Sequence, residues 1–270
     1  TATNRDIFFV MSTEDIAVQK TKQSESIHLG GKSFEFVKIQ RDGKSAVYKS
    51  ADAYLRIGSP DKILINLDFH KKMKEAGFPV AEIIAEGESG GQAYFIESSL
   101  GDLHFGKIFA EDIEQAGFIK QENFDRFLDS VERFAIAQLR TRTEKGNYVE
   151  FEDGIHLDVL CEELPEHSSA ILSLFERMKE KFSALPFVVT HGDFNPNNLY
   201  PSGVIDLEDS FRAPFGHDLV GAFTHIDYFP VSTEFEYFAK YRFSDGQRKR
   251  YFVLLDKLCT EANLPMLSGF

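Results

Sequence analysis

Two cysteines, Cys161 and Cys259, are all that 270 residues hold. They lie far apart and form no pair motif, which argues against a disulfide scaffold and fits a reducing compartment. Long apolar runs are missing too. The run near the start, Phe8 to Met11, is too short for a signal-peptide core or a membrane span, so a cytoplasmic protein with no membrane partner is expected. Basic runs are missing. Lys and Arg number 30 against 43 Asp and Glu, a formal charge of −13, and a nucleic-acid binder needs a basic face. There is no G-x-G-x-x-G, no internal repeat and no low-complexity tract. What remains is an ordinary globular composition, 43% hydrophobic and 27% charged, in a chain long enough for one large domain or two modest lobes.

The first hundred residues are rich in β signals. "SFEFVKIQRDGKSAVYKSADAYLRI" contains three strand-like pieces, Phe34–Ile39, Ala46–Lys49 and Ala53–Ile57. Asp42-Gly43 is the hairpin signal between the first two. A helix follows, with Ser59 placed to cap it, Pro60 at its first position and Gly77 ending the pattern. "PVAEIIAEGE" and "GQAYFIESSL" read as two more strands, joined at Ser89-Gly90-Gly91. This predicts a small antiparallel sheet with one helix. After "SSLGD" the texture changes. "FDRFLDSVERFAIAQLRTR" and "SAILSLFERMKEKFSAL" carry apolar residues at helical spacing, and the tail is mostly helical in pattern. The abundant Phe is read as core.

One stretch concentrates chemistry. "HGDFNPNNLYPSGVIDLEDS", His191 to Ser210, crowds Asp193, Asn198 and Asp206 between the short apolar runs "FVVT" and "GVIDL". Crowded carboxylates repel, so a metal ion or a proton usually sits among them. Read as strand, loop and returning strand, the segment brings the three residues to one end of a sheet, with Asp206 on the returning strand. Asn and Asp offer hard oxygen ligands that suit magnesium, and a separate Asp can take a proton from an attacking hydroxyl. Phosphoryl transfer needs that division of labour. Asp193 as a mere turn former is the bland alternative. Glu208 and Asp209 are read as solvated. A His-Asp metal phosphohydrolase built on His191, His217, His225 and Asp227 ranks lower, because such sites need ligands on facing helices. His225 is read as packed in or near the core.

"HGDFNPNN" and "VIDLEDSFRAPFGHDL" resemble the H-G-D-x-x-x-x-N loop and the following I-D segment of the aminoglycoside phosphotransferase and choline kinase family, small-molecule relatives of protein kinases. "SAVYKSADAYLRIG", "KKMKEAGFPVAEIIAEG" and "AYFIESSLGD" extend the resemblance over roughly residues 33–225. It implies a two-lobed α+β fold of the protein-kinase type. Residues 1–97 would be a nucleotide-binding lobe, with 1–30 an extension, 98–102 a hinge, and 103–270 a helical catalytic and acceptor-binding lobe. It implies Asp193 as catalytic base, Asn198 and Asp206 as Mg2+ ligands, and His191 and Asp218 as structural residues. It places the phosphate-binding cation at Arg56, where Lys is frequent, and Gly43, Lys44 and Ser45 in the turn that covers the phosphates. The helix acid that pairs with that cation falls near Asn66, with Asp68 on the wrong face. The implied activity is transfer of the γ-phosphoryl group of ATP or GTP to a hydroxyl of a small molecule. The acceptor stays open among aminoglycosides, choline or ethanolamine, sugars and amino-acid alcohols, and the acidity leans toward an amine-bearing one. A catalytically weak pseudokinase is the alternative in another class.

Overall fold

The computed structural model describes residues 26–40, 43–228 and 241–269, with only the backbone from 224 to 228. Arg41 and Asp42, the first two residues of the expected "RDGKS" turn, and the side chains of His225 and Asp227 lie outside the described residues. The chain divides into two compact units. One takes residues up to Leu64 together with Ile83–Ser98, and the other takes Ile65–Glu82 together with Ser99 onward.

The first unit is a six-stranded antiparallel sheet. Its strands are β1 Ser26–Leu29, β2 Lys32–Ile39, β3 Ser45–Lys49, β4 Ala53–Gly58, β5 Ile83–Ser89 and β6 Gln92–Ser98, in the order β1-β2-β3-β4-β6-β5. The two edge strands are the more exposed, while β3 is buried along nearly its whole length. Alternate residues point one way along a strand, and Phe34, Ala46, Tyr48, Ala53, Leu55, Ile57 and Ile96 gather accordingly in one apolar cluster. Gly90 and Gly91 both take positive φ, 60° and 79°, as a two-residue hairpin turn requires. Two details depart from the sequence reading. β1 lies inside the stretch read as an extension and pairs in register with β2. The strand expected from Pro79 begins at Ile83, and Val80 instead bridges Val204.

The division between the units falls within helix α1, Pro60–Glu75. The second unit then contains α2 Phe105–Ala116, α3 Gln121–Arg140, α4 Tyr148–Gly154, α5 Leu157–Glu163, α6 Ser168–Phe182, α7 His217–Tyr228 and α8 Asp245–Glu261. Its core is aromatic. Phe105, Phe109, Phe127, Phe223, Phe243 and Tyr251 form a chain of ring contacts with centroids 4.3–5.9 Å apart. Four short strands carry the chemical stretch: β7 Phe187–Val189, β8 Leu199–Tyr200, β9 Gly203–Val204 and β10 Arg212–Pro214.

Here the structure corrects the sequence reading. β7 does not pair with the "GVIDL" run; it pairs with β10, and β8 pairs with β9. Asp206 lies on no strand. Its backbone takes the left-handed conformation, φ 58° and ψ 55°, which turns the chain out of β9 and into a 3-10 turn at Leu207–Asp209. The pairing of β7 is extended by Thr190, whose N–H and hydroxyl both donate to the Phe211 carbonyl at 2.8 and 2.7 Å.

Candidate active site

The His191–Asn198 loop is fixed from both ends and from below. Thr190 and His191 are fully buried where the loop leaves β7, and Leu199 is fully buried where it enters β8. Between them Phe194 stacks on Phe134 of α3, centroids 4.1 Å apart and planes 21° apart. Truncating such a ring costs roughly 3–5 kcal/mol, so the loop is clamped by the core. Gly192 has φ 85°, and a Cβ there would strike the Asp209 carbonyl. Gly106, in the first turn of α2, donates its N–H to the Pro196 carbonyl at 2.8 Å, and a Cβ there would run into the Asn197 side chain.

Asp218, in the first turn of α7, is 3% exposed and collects three donors. The His191 N–H donates to Oδ2 at 2.6 Å, the Gly192 N–H to Oδ1 at 3.2 Å and the Gln138 amide to Oδ2 at 2.8 Å. Burial pushes the Asp218 carboxyl above its ordinary value, against the pull of His191, His217 and the two backbone donors. Gln138 also donates to the Val189 carbonyl at 3.2 Å and so ties β7 to the same point.

Both ring nitrogens of His191 are engaged. The Asp193 N–H donates to Nδ1 at 3.3 Å, which leaves Nε2 protonated and donating to the Ile205 carbonyl at 2.7 Å. Ile205 in turn donates its N–H to the Asn198 carbonyl at 3.1 Å. The residue before Asp206 is therefore held by His191 on one side and by Asn198 on the other. That joins the three residues of the motif through the backbone.

Asp193 and Asn198 also meet directly. The Asn198 Nδ2 donates to Asp193 Oδ2 at 3.0 Å and to its carbonyl at 2.9 Å. The amide nitrogen faces Asp193, so the Asn198 Oδ1 is the end turned away from it. Asn195 supplies a second amide, with Nδ2 donating to Asp193 Oδ1 at 2.8 Å. Its proximity was not read from the sequence. The signal was there, an Asn two residues past an Asp and just before a Pro, a pattern suited to side-chain turns. Among the described residues no three His, Cys, Asp or Glu side chains gather as a metal cluster. His217 packs edge-on against the stacked Phe151 and Phe211 rings, centroids 5.6 and 5.4 Å away.

The remaining candidates sit in the first unit. Arg56 of β4 lies opposite Val47 and Phe95, and its Nε donates to Glu97 Oε1 at 2.9 Å, with side chains 15% and 11% exposed. The acid holding this cation is thus a diagonal neighbour on β6. Gly43, φ 68°, donates its N–H to the Gln40 carbonyl, and Lys44 stands 4.0 Å from Asp61. The Ser45 hydroxyl is buried with no hydrogen-bond partner among the described residues. Gly58, opposite Ser45, has no room for a Cβ, which would meet the Lys44 carbonyl and the Ser45 Cα.

A family model described as the phosphotransferase enzyme family matches residues 28–252. Among solved structures, the fold is similar to aminoglycoside phosphotransferase APH(3'')-Id from Streptomyces rimosus ATCC10970. That likeness is 20% identical, covers 83% of this chain and 92% of that one, and has a TM-score of 0.50. It is also similar to a putative aminoglycoside phosphotransferase from Ralstonia eutropha JMP134, at 14% identity, 93% and 81% coverage and a TM-score of 0.51. Among curated proteins no significant match was found.

Proposed function

Because this chain belongs to the phosphotransferase enzyme family, we propose that it transfers the γ-phosphoryl group of ATP or GTP to a hydroxyl of a small molecule in a Mg2+-dependent reaction. The observation that carries the reading is the setting of Asp193. Its carboxylate is held by the side chains of Asn195 and Asn198, on a loop whose backbone is clamped by the buried Asp218. A base held in one orientation is what positioning catalysis requires.

Asp193 orients the acceptor hydroxyl and takes its proton. The hydroxyl oxygen bonds to the γ-phosphorus, the bond to the bridging oxygen breaks, and the nucleoside diphosphate leaves with those electrons. Asn198, through Oδ1, and Asp206 would hold Mg2+, and the orientation of the Asn198 amide fits that role. When bound, the ion neutralises charge on the phosphates. Asp206 in its left-handed backbone is a residue kept in an unfavourable conformation, as happens at functional sites. In the first unit Arg56 would pair with the phosphates, with Glu97 fixing its guanidinium. Backbone groups of Gly43, Lys44 and Ser45 would cover the phosphates.

For the acceptor, an amine-bearing molecule of the aminoglycoside class is the choice that family membership and the −13 charge support together. A cytoplasmic site of action fits a nucleotide donor, and among the described residues no helix is long and apolar enough to cross a membrane. The test is a panel of aminoglycosides, choline, ethanolamine and sugars, scored for ADP or GDP release, with Asp193→Asn beside the wild type. That variant should keep nucleotide binding and lose roughly a hundredfold to ten-thousandfold in turnover. Transfer by Asp193→Asn at the wild-type rate would leave Asp193 a turn residue and sink the mechanism.

A further inference from the structure

Asn195 has no role in the phosphate or metal chemistry proposed above, yet both ends of its side-chain amide are fixed within the loop. It is 4% exposed. Its Oδ1 accepts the Asn197 N–H at 2.9 Å, and its Nδ2 donates to Asp193 Oδ1 at 2.8 Å and to the Asp193 carbonyl at 3.2 Å. Its own carbonyl accepts the Asn198 N–H at 3.0 Å. These partners determine which end of the amide is which. Reversed, the amide would set an oxygen against a carboxylate and a carbonyl, and its NH2 group against an N–H.

We propose that Asn195 is a positioning residue: its amide fixes the rotation of the Asp193 carboxylate and so aims the oxygen that receives the acceptor's proton. The proposal rests on the reading of Asp193 as the base. The two amides on that carboxylate divide the work. Asn198 holds Oδ2 and faces away with its own oxygen, whereas Asn195 holds Oδ1 and is otherwise tied to the loop backbone. A carboxylate oxygen has two acceptor directions, so each oxygen keeps one for the reaction while the group as a whole cannot spin. A small misplacement of a reacting group costs about a hundredfold in rate, so rotation of this carboxylate should be felt in turnover and little in nucleotide affinity. A purely structural Asn195 would act only through its Oδ1, which closes the turn onto Asn197.

Asn195→Asp separates the two roles. It preserves size and the oxygen that accepts from Asn197, but it removes the donor to Asp193 and faces one carboxylate with another. The measurement is single-turnover ADP release from MgATP, with the best acceptor of the panel and with water as acceptor in its absence. The wild type, Asn195→Asp, Asp193→Asn and the double exchange are compared, each melted thermally alongside. Asn195→Asp should lose about ten- to a hundredfold in turnover, with the Michaelis constant for ATP within about twofold of the wild type. In the Asp193→Asn background it should cost no further rate, because the carboxylate to be aimed is gone. The exchange also restores a donor and acceptor pair with reversed polarity, so it should recover the melting temperature lost by Asn195→Asp without recovering rate. Wild-type turnover by Asn195→Asp, or an equal loss in both backgrounds, would overturn the positioning role. Wild-type turnover by Asp193→Asn alone would instead overturn the base on which it rests, whatever Asn195 does.

Discussion

Asp218 lies directly beneath the His191–Gly192 peptide, one carboxylate oxygen taking the N–H of His191 at 2.6 Å and the other that of Gly192 at 3.2 Å. The two residues are 27 apart in the chain. The contact converts the start of α7 into a fixed floor for the loop that carries Asp193.

Asp218→Asn should therefore damage fold and function together. An amide offers one acceptor oxygen where the carboxylate serves two backbone N–H groups and the Gln138 amide. A buried donor left without a partner costs about 1–3 kcal/mol. Urea unfolding should show a loss of that size, and turnover should fall further than nucleotide affinity. An unchanged unfolding midpoint with full turnover would show that the floor is dispensable.

Arg56 and Glu97 should respond unequally to mutation. Arg56→Ala removes the cation proposed above to meet the phosphates and takes the guanidinium away from the Glu97 carboxylate, 11% exposed. Breaking one side of a buried pair costs roughly 3–5 kcal/mol. The variant should show a raised Michaelis constant for nucleotide and a lower melting temperature. Glu97→Gln leaves an oxygen that can accept from Nε, so it should melt closer to the wild type and shift the same constant less. A selective loss of acceptor binding in Arg56→Ala would place the phosphates elsewhere.

Nucleotide and magnesium should stabilise the protein jointly. A ligand at a hundred times its dissociation constant adds about 2.7 kcal/mol to the native state. Thermal melts with ATP or GTP should rise when Mg2+ is present and return toward the ligand-free value with EDTA. Asp206→Ala should remove the magnesium increment. Equal shifts with and without Mg2+ would dissociate Asn198 and Asp206 from the metal.

Stability should fall in mild acid through His217. Burial holds its ring below the ordinary histidine value of 6.5, although Asp218 pulls the other way. The unfolded ring then binds a proton more readily than the folded one. Its contribution is complete above pH 6.5 and declines as pH falls toward the folded value. Asp218, raised by burial, runs in the opposite direction, its contribution growing as pH falls. The readout is thus the difference in melting temperature between the wild type and His217→Gln from pH 7.5 to 5.5. That difference should shrink with acid, and a constant difference would remove His217 from the pH response.

Much of the loop was legible because its information is local. The spacing of Asp193, Asn198 and Asp206 survives any error in the surrounding elements, and the Gly90-Gly91 turn is a backbone requirement written in two letters. What stayed hidden depends on which distant segments pair. An apolar run such as "FVVT" announces burial and not its partner, so β10 was missed in favour of β9. Glu97 is 41 residues from Arg56, and their meeting depends on the register of β4 on β6. An acid on a strand carries no helical spacing to mark it. Asn195 carries only a local turn signal, because a side chain that serves a neighbour's side chain leaves no periodic trace.

The left-handed backbone of Asp206 sets two kinds of selection against each other. Glycine would occupy that conformation with less strain, by about 1 kcal/mol, at the expense of the carboxylate. A library screened only for survival on heating would thus favour Asp206→Gly, and one screened for turnover would discard it. Variants enriched in the first screen and depleted in the second would mark this position as one where the chain has given up heat resistance to keep a carboxyl side chain in place.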